Sequence, residues 1–218
     1  MRRGVLIGLA WTLLPGIGQS ATGGESSTTY VYRCDGLEQT IVVRLEGDKG
    51  HLFAPGASQS LRFDTASQSF VGEDVSYFPD RPPDLAPGQT ATITLADKTL
   101  KNCHNNPRAA VWENAKLNGV SYRAIGQEPG WVLEIDRSRG FKLVTGYGEQ
   151  QAHLPYTEPE TDAASRTTVY RSVTEAGELV VRISGEQCTD SMSGEQFESR
   201  AEVEWQGKLL KGCGRALH

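Results

Sequence analysis

The stretch Tyr30–Leu45 reads Tyr-Val-Tyr-Arg-Cys-Asp-Gly-Leu-Glu-Gln-Thr-Ile-Val-Val-Arg-Leu, and it decides the fold. Tyr30, Val31 and Tyr32 are β-formers leading into Cys34. Asp35-Gly36 is a two-residue turn signal, because Gly tolerates positive φ and Asp bonds nearby backbone. Leu37 to Leu45 is rich in β-branched residues and reads as the returning strand. A cysteine at such a strand end is placed to tie one sheet edge to a distant strand.

The compartment decides what that cysteine does. Arg2 and Arg3 precede a short apolar run from Gly4 to Leu14, which Pro15-Gly16 breaks. Gly18-Gln19-Ser20 then offers small residues before a cut at Ala21. This is the pattern of a secretory signal peptide over residues 1–20. The run is well short of the about 20 apolar residues a spanning helix needs, and no later segment is apolar enough to span. No cysteine follows the run, so no lipobox is present and a periplasmic location is expected.

In an oxidising compartment the four cysteines form disulfides, and four allow three pairings. The simplest is Cys34 with Cys103 and Cys188 with Cys213, which divides the chain into two non-overlapping loops. Zinc is disfavoured, since there is no Cys-x-x-Cys and no His-x-x-x-His; no metal and no cofactor are expected. The formal net charge is −5, and loss of Arg2 and Arg3 takes it to −7. That argues against nucleic acid and favours steering toward a basic partner.

Short strands recur along the chain with turn signals between them. His51–Ala54, Ser60–Phe63, Ser69–Val71, Val75–Phe78, Thr90–Leu95 and Thr99–Cys103 follow the opening hairpin. Pro79 to Pro87 carries several prolines and is a loop. A second β pattern runs through Val120–Ile125, Trp131–Ile135, Gly140–Tyr147, Thr167–Val173, Leu179–Ser184 and Arg200–Leu210. Pro129-Gly130 suits a type II turn, and His153–Arg166 is a polar excursion. The expectation is an all-β protein of two small antiparallel β-barrel-like domains, each closed by one disulfide. A leader covers 21–29, the first barrel 30–104, a linker 105–118 with Ala109–Leu117 a short helix or a strand lead-in, and the second barrel 119–218.

Tyr32-Arg33-Cys34-Asp35-Gly36, the strands after it, Gly88-Gln89-Thr90-Ala91-Thr92-Ile93 and the closing Cys103 resemble the MliC/PliC domain of bacterial C-type lysozyme inhibitors. The resemblance covers Tyr30–Cys103. It implies an eight-stranded antiparallel barrel with a Cys34–Cys103 bond. It also implies that two loops enter a glycosidase cleft, where a hydroxyl and an ammonium meet the two catalytic carboxylates. The chain departs from that pattern. Gly72 matches the family glycine, but Val71 holds the serine position, the aromatic comes late at Tyr77, and Pro87 stands where a lysine belongs before Gly88. Ser69, Ser76 and Arg81 substitute only in rebuilt loops.

Gly126-Gln127-Glu128-Pro129-Gly130-Trp131, Cys188-Thr-Asp190-Ser191-Met192-Ser193-Gly194 and Gly212-Cys213-Gly214 resemble an uncharacterised domain of exported Gram-negative envelope proteins, over Gly119–Gly214. That resemblance implies no activity. Glu128 with Trp131, and Asp190 with Ser191, either line a small site or serve the fold. In the second case Trp131 fills the core, Glu128 bonds the turn and Asp190 caps the Cys188 loop. No Gly-x-Ser-x-Gly, His-Glu-x-x-His or phosphate loop is present, so no catalytic residue is singled out and no enzyme is expected. Two readings follow. One is a binder of C-type lysozyme or a related glycosidase through residues 70–77 and 79–90, with an exposed loop at Phe70–Tyr77. The alternative is a two-barrel periplasmic module that binds a small ligand or an envelope protein, with an enclosed apolar pocket near Trp131.

Overall fold

The computed structural model describes residues 27–80 and 88–218. The expected signal peptide, most of the expected leader, Arg81 and Pro87 lie outside them. Eight strands come first: β1 (Thr28–Arg33), β2 (Ile41–Glu46), β3 (Lys49–Ala54), β4 (Ala57–Asp64), β5 (Ser69–Val71), β6 (Val75–Pro79), β7 (Thr90–Leu95) and β8 (Lys98–Asn105). They form a closed antiparallel barrel in chain order. The seam between β1 and β8 is short, pairing Tyr32 with Asn105 and Arg33 with His104. Asn105 Oδ1 lengthens it by accepting from Val31 N at 3.0 Å, and Asn106 N donates to Val31 O at 2.7 Å. The Cys34–Cys103 disulfide crosses the same seam.

Alternation places Ile41 and Val43 of β2, Val75 and Tyr77 of β6, and Ala91 and Ile93 of β7 in one core with Tyr32, Leu52 and Leu61. Two phenols are buried there. Tyr32 Oη donates to Gly88 O at 2.7 Å, which leaves Tyr77 Oη to donate to Tyr32 Oη at 2.8 Å. Burial pushes both phenols above their ordinary range.

The opening hairpin is longer than its sequence implied. Asp35-Gly36 does turn, with Gly36 at φ +75° and Leu37 N donating to Cys34 O at 3.2 Å. The chain then runs over the barrel end, and β2 begins only at Ile41, opposite Tyr32. Leu37–Thr40 is therefore loop rather than strand.

Helix α1 (Pro107–Leu117) fills the segment expected as a linker. Asn106 caps it, accepting from Ala109 N at 3.2 Å, and Pro107 occupies the first turn, where no amide is needed. One side of α1 meets the barrel. Thr29 Oγ1 donates to Asn114 Oδ1 at 3.0 Å, and Arg44 Nη2 donates to Asn118 Oδ1 at 2.8 Å. The other side carries Trp112, whose ring lies 4.5 Å from the Arg215 guanidinium and 5.3 Å from that of Arg123. Glu134 and Glu195 pair with Arg123 and Arg215, so the cations are balanced where they are half-buried.

The remaining strands are β9 (Tyr122–Gln127), β10 (Gly130–Asp136), β11 (Gly140–Thr145), β12 (Gln150–Leu154), β13 (Glu160–Asp162), β14 (Thr167–Thr174), β15 (Gly177–Ser184), β16 (Cys188–Thr189), β17 (Gln196–Phe197), β18 (Ser199–Trp205) and β19 (Lys208–Ala216). Nine form one antiparallel sheet in the order β12-β11-β10-β9-β19-β18-β15-β14-β13, while β16 and β17 make a small flap. The sheet curls around Leu133, Phe141, Leu143, Val181 and Val203. Unlike the first, it does not close, so the expected second barrel is a curled half-barrel. Its two edges approach through Ser172 Oγ, which donates to Pro155 O at 2.8 Å, and through the cluster of Phe141, Tyr156 and Tyr170. The Cys188–Cys213 disulfide ties the flap to β19.

Two local expectations change. Residues 200–210 form parts of two strands, because Gln206 and Gly207 turn the chain at φ +48° and +73°. The β9–β10 turn is centred on Glu128-Pro129, with a cis peptide and Gln127 opposite Gly130, rather than on Pro129-Gly130.

Candidate functional site

One open end of the curled sheet forms a mouth of about 630 Å³. Six separate segments build it. Tyr122 opens β9, Arg137 sits in the β10–β11 turn, Arg166 precedes β14, Tyr170 lies on β14, Ile183 nears the end of β15 and Ser199 begins β18. Glu198 and His218 complete the rim.

The arginines are presented by turns that acidic residues organise. Asp136 Oδ1 accepts from Ser138 N and Ser138 Oγ, both at 2.7 Å, and from Arg139 N at 3.1 Å. Its Oδ2 accepts from Arg139 Nε at 2.6 Å. Burial alone would raise this carboxyl, but the Ser138 and Arg139 hydrogen bonds outweigh it and hold it at about 2. The turn thus uses Arg139 as its internal cation and displays Arg137 outward. Asp162 does the same for the next turn, accepting from Ala164 N at 2.9 Å and Ser165 Oγ at 2.7 Å. Arg166 follows at φ +51° and lies over Gly185, where an added Cβ would sit 3.0 Å from both Nε and Nη2. Among the described residues neither Arg137 nor Arg166 makes an ion pair with a carboxylate.

The floor is aromatic, with Tyr122 buried and Tyr170 half-buried. Ser199 Oγ donates to Gly214 O at 2.8 Å and so accepts from Tyr122 Oη at 2.9 Å. Burial pushes the Tyr122 phenol up to about 12, against the Ser199 hydrogen bond, which lowers it. Tyr170 is also raised, by burial first and then by Tyr156, while Arg137 pulls it down and Glu158 pushes it up. The mouth thus sets two guanidiniums and the Glu198 carboxylate around an aromatic, hydrogen-bonded floor.

The residues singled out in the sequence fall elsewhere. Ser69 is buried on β5 with its hydroxyl 2.7 Å from Ser67 Oγ. Gly72 turns the chain, its N–H donating to Val75 O at 2.8 Å, and an added Cβ would meet Ser60 O at 2.9 Å. Ser76 is half-buried on β6 between Val71 and Thr94. Tyr77 belongs to the core, not to a loop. Only Gly72–Asp74 lies outside strands between Phe70 and Tyr77, so that segment is a tight turn rather than a protruding loop. Gly88, at φ +79°, packs on the Tyr30 ring. Arg81 and Pro87 lie outside the described residues.

In the second domain Trp131 is 3 % exposed and fills the core, its Nε1 donating to Lys211 O at 3.3 Å. Asp190 is buried and caps the Cys188 loop, accepting from Ser193 N at 2.8 Å, Ser193 Oγ at 2.7 Å and Gln127 Nε2 at 3.1 Å. Burial would raise its carboxyl, but these bonds hold it below the usual range. Glu128 and Ser191 are exposed on separate turns, and the four do not converge. The cleft beside Trp131, about 360 Å³, is open rather than enclosed and is walled by Ile125, Val132, Val144 and Tyr147. Arg137, Arg166 and Tyr170 carry no sequence signal of their own; only the curl of the sheet brings them together.

No group of three or more His, Cys, Asp or Glu side chains is arranged to hold a metal among the described residues, and none of their helices is long and apolar enough to cross a membrane. The chain matches no family model, no curated protein and no solved structure.

Proposed function

We propose that this chain is an exported, non-catalytic binding module of the cell envelope. Its curled domain takes a small amphiphile with an anionic group, and its closed barrel is a scaffold fixed to it by α1. The observation that carries the reading is the 630 Å³ mouth with Arg137 and Arg166 over the Tyr122, Tyr170 and Ile183 floor. Its size falls within the roughly 300–1,000 Å³ of small-molecule sites. Titration calorimetry with decanoate, decyl sulfate and decanol tests it. The anions should bind and decanol should not. Arg137→Ala and Arg166→Ala should each weaken binding about tenfold or more, as loss of a charge-assisted hydrogen bond does. Equal binding of decanol, or no effect of either substitution, rejects the proposal.

A second reading is inhibition of a C-type lysozyme by the first barrel. Its support is the eight-stranded closure and the Cys34–Cys103 bond, both implied by the resemblance to the inhibitor domain. Against it stand Val71 in the serine position and the short Gly72–Asp74 turn. Lysis of cell walls by C-type lysozyme, followed with equimolar protein present, separates the two readings. Unchanged lysis removes this one and leaves the amphiphile proposal standing.

A further inference from the structure

The outer face of the curled sheet carries a row of polar side chains. Strand pairing sets Arg123 beside Glu134, Glu134 beside Lys142 and Lys142 beside His153, across β9 to β12. Helix α1 borders this row, with Trp112 over Arg123 and with Asn114 and Asn118 further along. Between helix and row lies a cleft of about 320 Å³. It is more enclosed than the arginine-rimmed mouth and shares no lining residue with it.

Most charges in the cleft are already matched. Arg123 pairs with Glu134 Oε1, and Arg139 pairs with Asp136. Lys142 is half-buried and, among the described residues, makes no ion pair. The two asparagines add donors to it. Asn118 Oδ1 accepts from Arg44 Nη2 at 2.8 Å, and Asn114 Oδ1 accepts from Thr29 Oγ1 at 3.0 Å. The barrel thus engages the oxygen of each amide and leaves its Nδ2 hydrogens to donate elsewhere. At the rim Gln151 Nε2 donates to His153 Nε2, which puts the imidazole proton on Nδ1 as a further donor. The acceptor left on the row is Glu134 Oε2, whose charge Arg123 already balances.

We infer that this cleft binds a small hydroxylated carboxylate, a single ring of the sugar-acid class. The carboxylate meets Lys142 and the asparagine amides, because charge-assisted hydrogen bonds to an ionised acceptor are the strongest these groups make. A ligand hydroxyl donates to Glu134 Oε2. An ammonium would add a positive charge beside a carboxylate that is already neutralised, so an amino acid fits less well. Buried Ala115 and Val120 line the cleft as well and suit the C–H face of a ring. The volume lies at the lower end of the roughly 300–1,000 Å³ of small-molecule sites, which suits one ring rather than a long acyl chain. The inference does not rest on the amphiphile reading of the mouth.

Titration calorimetry of the full chain with glucuronate should show saturable binding. Methyl glucoside lacks the carboxylate and propionate lacks the hydroxyls, and each should bind about tenfold or more weakly. Lys142→Gln removes the cation and should also cost about tenfold or more in affinity. Asn118→Asp keeps an acceptor for Arg44 but exchanges the amide donor for a negative charge, and should cost at least as much. If that variant fails to fold by circular dichroism, Asn114→Asp makes the same exchange opposite Thr29. Arg137→Ala should leave glucuronate binding unchanged, which separates this cleft from the mouth. No saturable binding overturns the inference, as does equal binding of methyl glucoside or propionate. Binding that survives Lys142→Gln, or that is lost with Arg137→Ala, overturns it too. Inorganic phosphate or alanine held as tightly as glucuronate gives the cleft to another ligand class and overturns it as well.

Discussion

Gly126→Ala tests the packing on which the curled domain rests. Gly126 pairs with Trp131 across β9 and β10, and the indole lies over it. A Cβ at this position would stand 2.0 Å from Trp131 Nε1, 2.5 Å from Cε2 and 2.6 Å from Lys211 O. Ordinary contacts begin near 3.5 Å, so the ring must move by more than about 1 Å. It has nowhere to go, because a Cβ built on Gly212 would already meet Trp131 Cζ2 at 2.8 Å. The shift also breaks the Nε1 hydrogen bond to Lys211 O. Overpacking costs about 1–3 kcal/mol and a lost hydrogen bond about 1, so the substitution should destabilise the domain by roughly 2–4 kcal/mol. For a domain of about 100 residues each kcal/mol moves the midpoint about 4–8 °C. Calorimetry should show the transition of the curled domain falling by roughly 10–20 °C while that of the barrel stays in place. In a Trp131→Phe background the same Gly126→Ala change should cost less by about 1 kcal/mol or more, since the contacts with the indole are gone and only that with the Lys211 carbonyl is left. An equal cost in both backgrounds, or a cost below about 0.5 kcal/mol with Trp131 present, refutes the reasoning.

Other perturbations follow from the same geometry. Tyr32→Phe strands the Gly88 carbonyl and deprives Tyr77 Oη of its acceptor, and should cost about 2 kcal/mol by urea unfolding; a change within about 0.5 would contradict the buried pair. Asp136 is held at about 2, below its unfolded value, so its stabilisation is complete above the unfolded pKa and disappears as pH falls through the folded one. Between about pH 4 and pH 2 the wild-type midpoint should therefore fall more steeply than that of Asp136→Asn, and parallel curves would count against the assignment. Replacing Cys34 and Cys103 by Ala removes a link across 69 residues and should cost about 4 kcal/mol, against about 3 for Cys188 and Cys213 across 25. A larger loss at the second pair would mean that the flap carries more of the core than its small sheet indicates.

Much of the fold is legible because single strands obey local rules. Thr90–Leu95 matches β7 residue for residue, and Ser69–Val71 matches β5. Turn glycines mark most hairpins because they take φ values other residues avoid, as Gly56 does at +74°. Errors arise where distant partners set the boundary. Leu37–Thr40 has strand composition, but β2 must wait until Ile41 reaches Tyr32. Gln206-Gly207 is a weak turn signal, and only the pairing of β18 with β19 reveals it. Residues 109–117 read equally as a short helix or a strand lead-in for another reason, though they lie in α1. Trp112 lies under two guanidiniums and packs on only a small cluster of Ala115, Val120 and Leu217, so the apolar stripe on the helix is too short to stand out. Strand parity alone places Tyr77 inward with Val75 and Ser76 outward, and it overrules the loop motif that suggested otherwise.

The site is less legible than the fold because both openings of the curled domain arise from what the sheet fails to do. A closed barrel such as the first turns every edge inward and fills its interior, as Tyr32, Leu52 and Ile93 do at 0 % exposure. Nine strands in the second sheet reach almost around, and no single residue records that they stop short. The middle of the curl is nevertheless solid, with Leu133, Phe141, Val181 and Val203 at 0 % exposure. That layer separates the arginine-rimmed mouth from the opening at the other end. One opening sets Arg137 and Arg166 around Tyr122 and Tyr170, and the other is lined by Leu143, Ala152 and Trp205. A packed core divides the two ends of the curled sheet, whereas the first barrel closes on its own side chains.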